Sequence, residues 1–443
     1  MEKIFLDLQD EIINKLMGKF NLMQEQDEKK TLVLDALSQV CGNLESKMIL
    51  EKIKALETKE TREQFIQDFL SFGKVANLLN DPDTEDILIN SLNPIYIHST
   101  SKGLIKTDIK FDTSQELDLF IKKLIIFAGK SEIARINNLE LPNIDGRVNI
   151  VFSAFGPHVT ITKIKQTPLS IIDLISAGAL NYEMAAQIWI YMEGLSVRPT
   201  NLIIAGGPGA GKTTLLNALL SFIPINERLV FIEDTLELNT RLEDNCARLE
   251  SGDSLSLADL VKNSLRMRPD RVIVGEVRGK EAQDMITAMN IGKYCIATLH
   301  ASTAREAILR LQSEPMNVPE TLVGLIDVFI IMHKYQKGNN VQRVVSQITE
   351  TAGIQDKKVL LSHVWQYDSA EAQFEQVATS SIYRDNLAQS VGLSSRQIMD
   401  EIAKRARALK ALKEKGTHSI SDVTRFCRLY NINPKAAFEE FGL

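Results

Sequence analysis

The run Gly206 to Thr213, GGPGAGKT, satisfies the spacing G-x-x-x-x-G-K-[ST]. Residues of these types at this spacing can grip phosphate. Glycines let backbone N–H groups turn inward toward phosphate oxygens. Lys212 would reach the β and γ phosphates, and the Thr213 hydroxyl would ligate magnesium. The strand-like NLII precedes the run and the helical LLNALLSFI follows it, so a helix N-terminus adds positive dipole at the same place. Gly206, Gly207, Pro208, Gly209, Ala210, Gly211, Lys212, Thr213 and Thr214 are therefore the expected nucleotide-binding residues.

Three further strand-like runs end in residues that could act on a bound phosphate. RVIVGE ends at Glu276, VFIEDTLEL offers Glu233, Asp234 and Glu237, and IATLHAS carries His300. A carboxylate beside a terminal phosphate can orient water or a magnesium-bound water, so Thr213 and Glu276 are the expected metal contacts. Taken singly, the acidic run also reads as a solvated, capped turn and His300 as structural. Taken together behind a phosphate loop they differ, because strand ends in a doubly wound sheet converge at its carboxyl edge. The pattern predicts hydrolysis of a nucleoside triphosphate.

These residues need elements to position them. The chain has 443 residues, long enough for two to four domains. Residues 1–72 read as helices from three-to-four spacing of apolar residues. Short strands punctuated by Pro, Asn and Gly, with one helix, suggest a compact α/β domain over 73–165. A linker follows at 166–180. Strands then alternate with helices over 181–350, which argues a mainly parallel sheet covered by helices. Residues 351–443 read as strands followed by a charged helical tail.

Composition narrows the class. Hydrophobic content of 44% and charged content of 24% fit a soluble globular chain, and a net charge of −6 argues against a whole-surface nucleic-acid binder. Cys41, Cys246, Cys295 and Cys427 are scattered, which predicts reduced thiols and no zinc site. The N-terminus is acidic and amphipathic, unlike a signal peptide. The most apolar run, LVGLIDVFIIM, is too short to span a bilayer and contains Asp327. A cytosolic chain is expected.

Read in order, GGPGAGKTTLLNALLSFIP, FIEDTLEL, LRMRPDRVIVGEVRG and ATLHAS resemble the secretion ATPases of type II and type IV systems, most nearly the Tad/Flp pilus-assembly motors of the CpaF/TadA group. The similarity runs from LLNDPDTEDILIN to QITETAG. It implies an α/β fold: a RecA-like P-loop NTPase domain preceded by a small mobile α/β domain, with helical regions at both ends. It also implies a homohexameric ring that uses ATP with Mg2+, nucleotide lying between the two domains, and peripheral docking on an inner-membrane platform protein that reaches pilin indirectly. By that resemblance Glu233 and Glu237 belong to the acidic box, Glu276 acts on the attacking water, and His300 senses the γ-phosphate. Arg147, Lys163 and Arg248 match cations that the family brings toward the phosphates. Two stretches depart from the family pattern: Glu140 stands where a first arginine is common, and IGKYCI replaces a longer loop before His300.

Two other readings share the phosphate loop. One is a nucleotide-gated scaffold. The other is a nucleic-acid translocase, supported only by EIAKRARALKALKEKG with Lys404, Arg405, Arg407, Lys410 and Lys413, whose plainer reading is a solvated helix face over apolar Ile402, Leu409 and Leu412.

Overall fold

The structure, a computed structural model, describes residues 2–21, 24–42, 56, 58–92, 94–141, 146–163, 168–234, 237–238, 245–252, 255–337, 340–356, 358–378 and 381–443. The expected boundary at 165–166 and the side chain of Cys41 lie outside them. The chain divides into two compact units, and the helix that begins at Ile171 belongs to the second.

In the first unit, helices α1 (Glu2–Leu16), α2 (Gln26–Gly42), α3 (Lys59–Leu70) and α4 (Ala76–Asn80) precede a sheet. Its strands are β1 (Thr84–Ile89), β2 (Ile95–Ser99), β3 (Gly103–Lys106), β4 (Ile136–Leu141), β5 (Gly146–Ser153) and β6 (Gly156–Lys163), with helix α5 (Ser114–Phe127) between β3 and β4. The strand order is β3-β2-β1-β6-β5-β4, and each pairing is antiparallel. Antiparallel strands with one covered face alternate, and β2 does so, with Ile95 and Ile97 buried between half-buried neighbours. Thr113 caps α5 by accepting from the Glu116 N–H. Leu8, Ile12 and Leu16 of α1 join Ile121 and Leu124 of α5 and Ile87, Val148 and Ile161 of the sheet in one core. The N-terminal helices therefore share a core with the α/β element.

The second unit opens with α6 (Ile171–Ser176) and α7 (Tyr182–Glu193), then β7 (Leu202–Gly206) and α8 (Lys212–Leu219). It continues through β8 (Leu229–Glu233), β9 (Cys246–Glu250), α9 (Leu257–Ser264), β10 (Arg271–Val274), α10 (Glu281–Asn290), β11 (Tyr294–Leu299), α11 (Ala304–Gln312) and α12 (Glu320–Val323). Strands β12 (Val328–Lys337), β13 (Asn340–Gln355), β14 (Lys358–Asp368) and β15 (Gln373–Gln376) follow, and the unit closes with α13 (Ile382–Val391), α14 (Ser395–Glu414), α15 (Ile420–Ile432) and α16 (Pro434–Phe441).

Among the described residues its sheet runs β15-β14-β13-β12-β7-β11-β10-β8-β9. The pairings from β12 through β7, β11, β10 and β8 to β9 are parallel. Strands β7, β8 and β10 are buried along their whole length, as continuous apolar runs in a doubly covered parallel sheet should be. Alternate residues serve opposite faces. Leu202, Ile204, Phe231 and Ile273 meet α7, α8 and the C-terminal helices, whereas Ile203, Val230, Val272 and Ala297 meet α9, α10 and α11.

The core also runs across residues 350 and 351. Val364, Trp365, Leu409 and Phe426 pack with β7 and α7 in a single cluster. Glu350 is fully buried and accepts from Tyr191 Oη at 2.6 Å, Ser381 Oγ at 2.5 Å and the Tyr383 N–H at 3.1 Å, which ties β13 to α7 and to the start of α13.

The basic tail helix differs from its sequence reading. Lys404, Arg407, Lys410 and Lys413 are exposed, but Arg405 is only 2% exposed. Its guanidinium donates to Glu193 of α7 at 2.8 Å and Glu401 at 3.1 Å, and lies 4.7 Å from the Trp189 ring centre. It belongs to the seam that docks α14 on α7. Ile402, expected inside, is half-buried. Among the described residues no helix is long and apolar enough to cross a membrane.

Removing one partner of a buried ion pair strands the other charge. Arg405→Met should cost about 3–5 kcal/mol in urea unfolding, and Glu193→Gln added to it should recover much of the loss. Additive losses in the double variant would show that the two side chains do not act as a pair.

Candidate functional site

The phosphate loop lies where the motif placed it, between β7 and α8. Gly206 ends β7 against β12, and a Cβ there would stand 2.6 Å from the Met332 carbonyl oxygen, a distance only glycine tolerates. Gly211 is the N-cap of α8, with φ of +94°, and no side chain caps that helix. The first-turn N–H groups of α8 are thus left for an anion. Lys212 at the first position of α8 is 8% exposed; its ammonium donates to Gly206 O at 3.1 Å and Gly207 O at 3.3 Å. Pro208, Gly209, Ala210, Thr213 and Thr214 complete the loop and first turn.

Sheet order brings the strand-end residues to this loop. Strand β11 lies beside β7 and delivers His300 just past its end; β10 comes next and delivers Glu276; β8 follows with Glu233. Lys212 Nζ is 3.2 Å from His300 Nδ1, and His300 Nε2 is 2.9 Å from Glu276 Oε1. Arg278 donates to Glu276 Oε2 at 2.8 Å and sits 3.2 Å from Asp234. Lysine, imidazole, carboxylate and guanidinium form one continuous chain of contacts beside the phosphate loop.

The charges in that chain set one another's protonation. Burial opposes ionisation of Glu276, but the Arg278 hydrogen bond and the charges of Arg278 and Lys212, joined by His300 when its ring is protonated, outweigh it and hold the carboxyl below its ordinary range. Burial and then the Lys212 charge push His300 down, against the pull of Glu276. Burial also lowers Lys212, against Glu276 and Glu237. Glu276 is therefore anionic and His300 neutral at neutral pH, so the carboxylate can accept the hydrogen bond that the imidazole donates.

Glu233 has a different local task. It is 1% exposed, and its Oε1 accepts from the backbone N–H groups of Glu237 and Leu238 at 2.8 and 2.9 Å. Its other oxygen lies 3.7 Å from Arg248 of β9. Burial raises its pKa. Glu233 thus braces the turn that carries Glu237, while Arg248 supplies its counter-charge.

Arg147 and Lys163 belong to the first unit. Register sets Arg147 on β5 opposite Glu140 on β4 and Thr162 on β6. Lys163 donates to Asp81 O at 2.5 Å, and burial lowers its pKa. The sequence reading passed over Arg278, although a basic residue two positions beyond a strand-end carboxylate is a local signal that could have found it.

The donor set suits magnesium that arrives with phosphate. Among the described residues no group of three His, Cys, Asp or Glu side chains could hold a metal alone. Thr213 stands second in α8, and Glu276, Asp234 and Glu237 supply carboxylates at the same edge of the sheet. A hydroxyl with one or two carboxylates and substrate phosphates is how Mg2+ is commonly held.

A phosphate loop whose strand is separated from the acidic strand by a His-bearing strand, with all of them parallel, defines a RecA-like P-loop ATPase fold. The chain belongs to the type II/IV secretion system protein family, whose model matches residues 132–413. It is 30% identical over 422 residues to an uncharacterized protein of Methanocaldococcus jannaschii, covering 88% of this chain and 75% of that one. It is 27% identical over 293 residues to the conjugal transfer protein TrbB of Rhizobium radiobacter, covering 63% of this chain and 88% of that one. Among solved structures, the Legionella pneumophila ATPase DotB aligns at 17% identity with a TM-score of 0.45, covering 82% of this chain and 94% of that one.

His300 should titrate below the ordinary histidine value of 6.5, staying neutral until the pH falls beneath it. In Lys212→Ala its pKa should rise, and in Glu276→Gln it should fall further. NMR titration of the His300 ring reads both shifts, and an unmoved value in both variants would break the contact chain described above.

Proposed function

We propose that this chain is a cytoplasmic ATP hydrolase that works as a homohexameric ring and powers pilus assembly or secretion, in the manner of the Tad/Flp motors. The Lys212–His300–Glu276–Arg278 chain beside the phosphate loop carries the reading. The loop amides and Lys212 bind the β and γ phosphates of ATP, and Thr213 with Glu276 would hold the Mg2+ that accompanies them. When bound, magnesium neutralises charge on the phosphate oxygens. Glu276, held anionic by its cationic neighbours, orients the attacking water and accepts its proton as the γ-phosphoryl is transferred. His300 reports the γ-phosphate to Glu276 through the hydrogen bond already between them. Arg278 keeps Glu276 in place and neutralises it until water and nucleotide arrive.

Glu233 and Arg248 keep the turn bearing Glu237 fixed, and Arg147, with Lys163, brings positive charge from the first unit to stabilise charge developing on the phosphates. Alternation of the two units between open and closed poses then moves an inner-membrane platform protein, and through it pilin. The basic helix that suggested nucleic acid gives one of its cations, Arg405, to a buried structural seam.

Three variants test this in steady-state ATP turnover of the purified protein. Lys212→Ala should abolish turnover. Glu276→Gln should lower kcat by about 100-fold or more while nucleotide still binds, the scale of a lost general base. Arg147→Ala should lower kcat with little change in nucleotide affinity. Wild-type turnover no faster than that of Glu276→Gln would leave a nucleotide-gated scaffold as the better account, and an unchanged Arg147→Ala would remove the first unit from the chemistry.

A further inference from the structure

The phosphate loop is held from outside as well as from within. Inside, Lys212 bonds the carbonyls of Gly206 and Gly207. Outside, the adjacent strands β12 and β13, more than a hundred residues further along the chain, bring two more cations to it. Arg343 Nε donates to Gly209 O at 2.9 Å, and its Cδ lies 3.5 Å from where a Cβ on Gly211 would stand. Lys334 Nζ lies 3.4 Å from the corresponding point on Gly209. Both side chains belong to half-buried residues.

The Arg343 bond has a directional consequence. A trans peptide sets its C=O and N–H on opposite sides. Anchoring the Gly209 carbonyl on Arg343 therefore turns the Ala210 N–H the other way, where it meets Gly207 O at 3.3 Å within the loop. A glycine-rich segment loses more conformational freedom on ordering than any other. A charge-assisted hydrogen bond from a strand of the main sheet takes up that loss before a ligand arrives.

We propose that Arg343 is a positioning residue for nucleotide. It presets the phosphate loop, and Lys334 beside it adds positive charge, so the pair governs affinity for the di- and triphosphate alike. The inference rests on the nucleotide-binding reading above. Because the loop grips phosphates in both substrate and product, the effect falls on binding shared by ground and transition states. It should appear in KM and in the Kd for ADP more than in kcat.

The experiment measures Kd for a fluorescent ADP analogue, ATP turnover and melting temperature in wild type, Arg343→Gln, Arg343→Lys, Lys334→Gln and Lys212→Ala. Arg343→Gln should raise Kd and KM together by about tenfold, kcat moving by less, without a matching fall in melting temperature. Arg343→Lys should recover part of the loss and Lys334→Gln should raise Kd more modestly. Wild type that binds ADP no better than Lys212→Ala would sink the nucleotide reading itself. If wild type binds and Arg343→Gln binds equally well, or weakens only in proportion to lost stability, this inference alone falls. Should Arg343→Gln fail to fold, unchanged Kd values in both Arg343→Lys and Lys334→Gln would overturn it.

Discussion

The site exists because six parallel strands are paired in register, the inner ones buried on both faces. Backbone polar groups inside such a sheet have no water to turn to, so the ladder must be complete and register cannot slip without flipping every side chain. With register locked, the carboxyl ends of β7, β11, β10 and β8 arrive together. Polar side chains along those strands need a bonded partner, as Arg271 of β10 has in Glu227 and Thr298 of β11 in the Gly275 carbonyl. Lys212, His300 and Glu276 meet at the edge where the strands end.

Gathering charges at a partly dry edge has a cost that the arrangement offsets locally. Glu276 loses hydration, and alone its carboxyl would be pushed toward the neutral form. Arg278 and Lys212 reverse that outcome. Burial and then the Lys212 charge keep His300 neutral, against the pull of Glu276. Each protonation state is a property of the group, because each charge shifts the others.

The C-terminal helices belong to this machinery's foundation. Arg405 lies between Glu193, Glu401 and the Trp189 ring, and Glu350 binds Tyr191, Ser381 and Tyr383. Both networks close on α7, the helix that leads into β7. Trp365 adds a third tie, donating to Gln187 of α7 at 2.7 Å. The strand that carries the phosphate loop is therefore braced by residues from the far end of the chain, and β13 touches both the loop, through Arg343, and this brace, through Glu350.

Local structure was legible in the sequence. The phosphate loop is contiguous, its glycines and lysine have fixed jobs, and the strands and helix around it follow from periodicity. That Glu276 and His300 would converge followed from one topological rule about parallel sheets. Arg405 was legible too, though it was read as solvated: it falls in line with Ile398, Ile402, Leu409 and Leu412 at three-to-four spacing, so a charge stands in an apolar stripe and demands a buried partner. The identity of that partner, Glu193, lies more than two hundred residues away and no local pattern names it. The same holds for Arg343 on Gly209 and for the choice of Glu233 as a brace for the Glu237 turn. Short-range order is encoded by neighbours in the chain, so types and spacing determined the loop and its strands. Which distant charges compensate one another depends on desolvation and on sheet order, and those come into being only when the chain has packed.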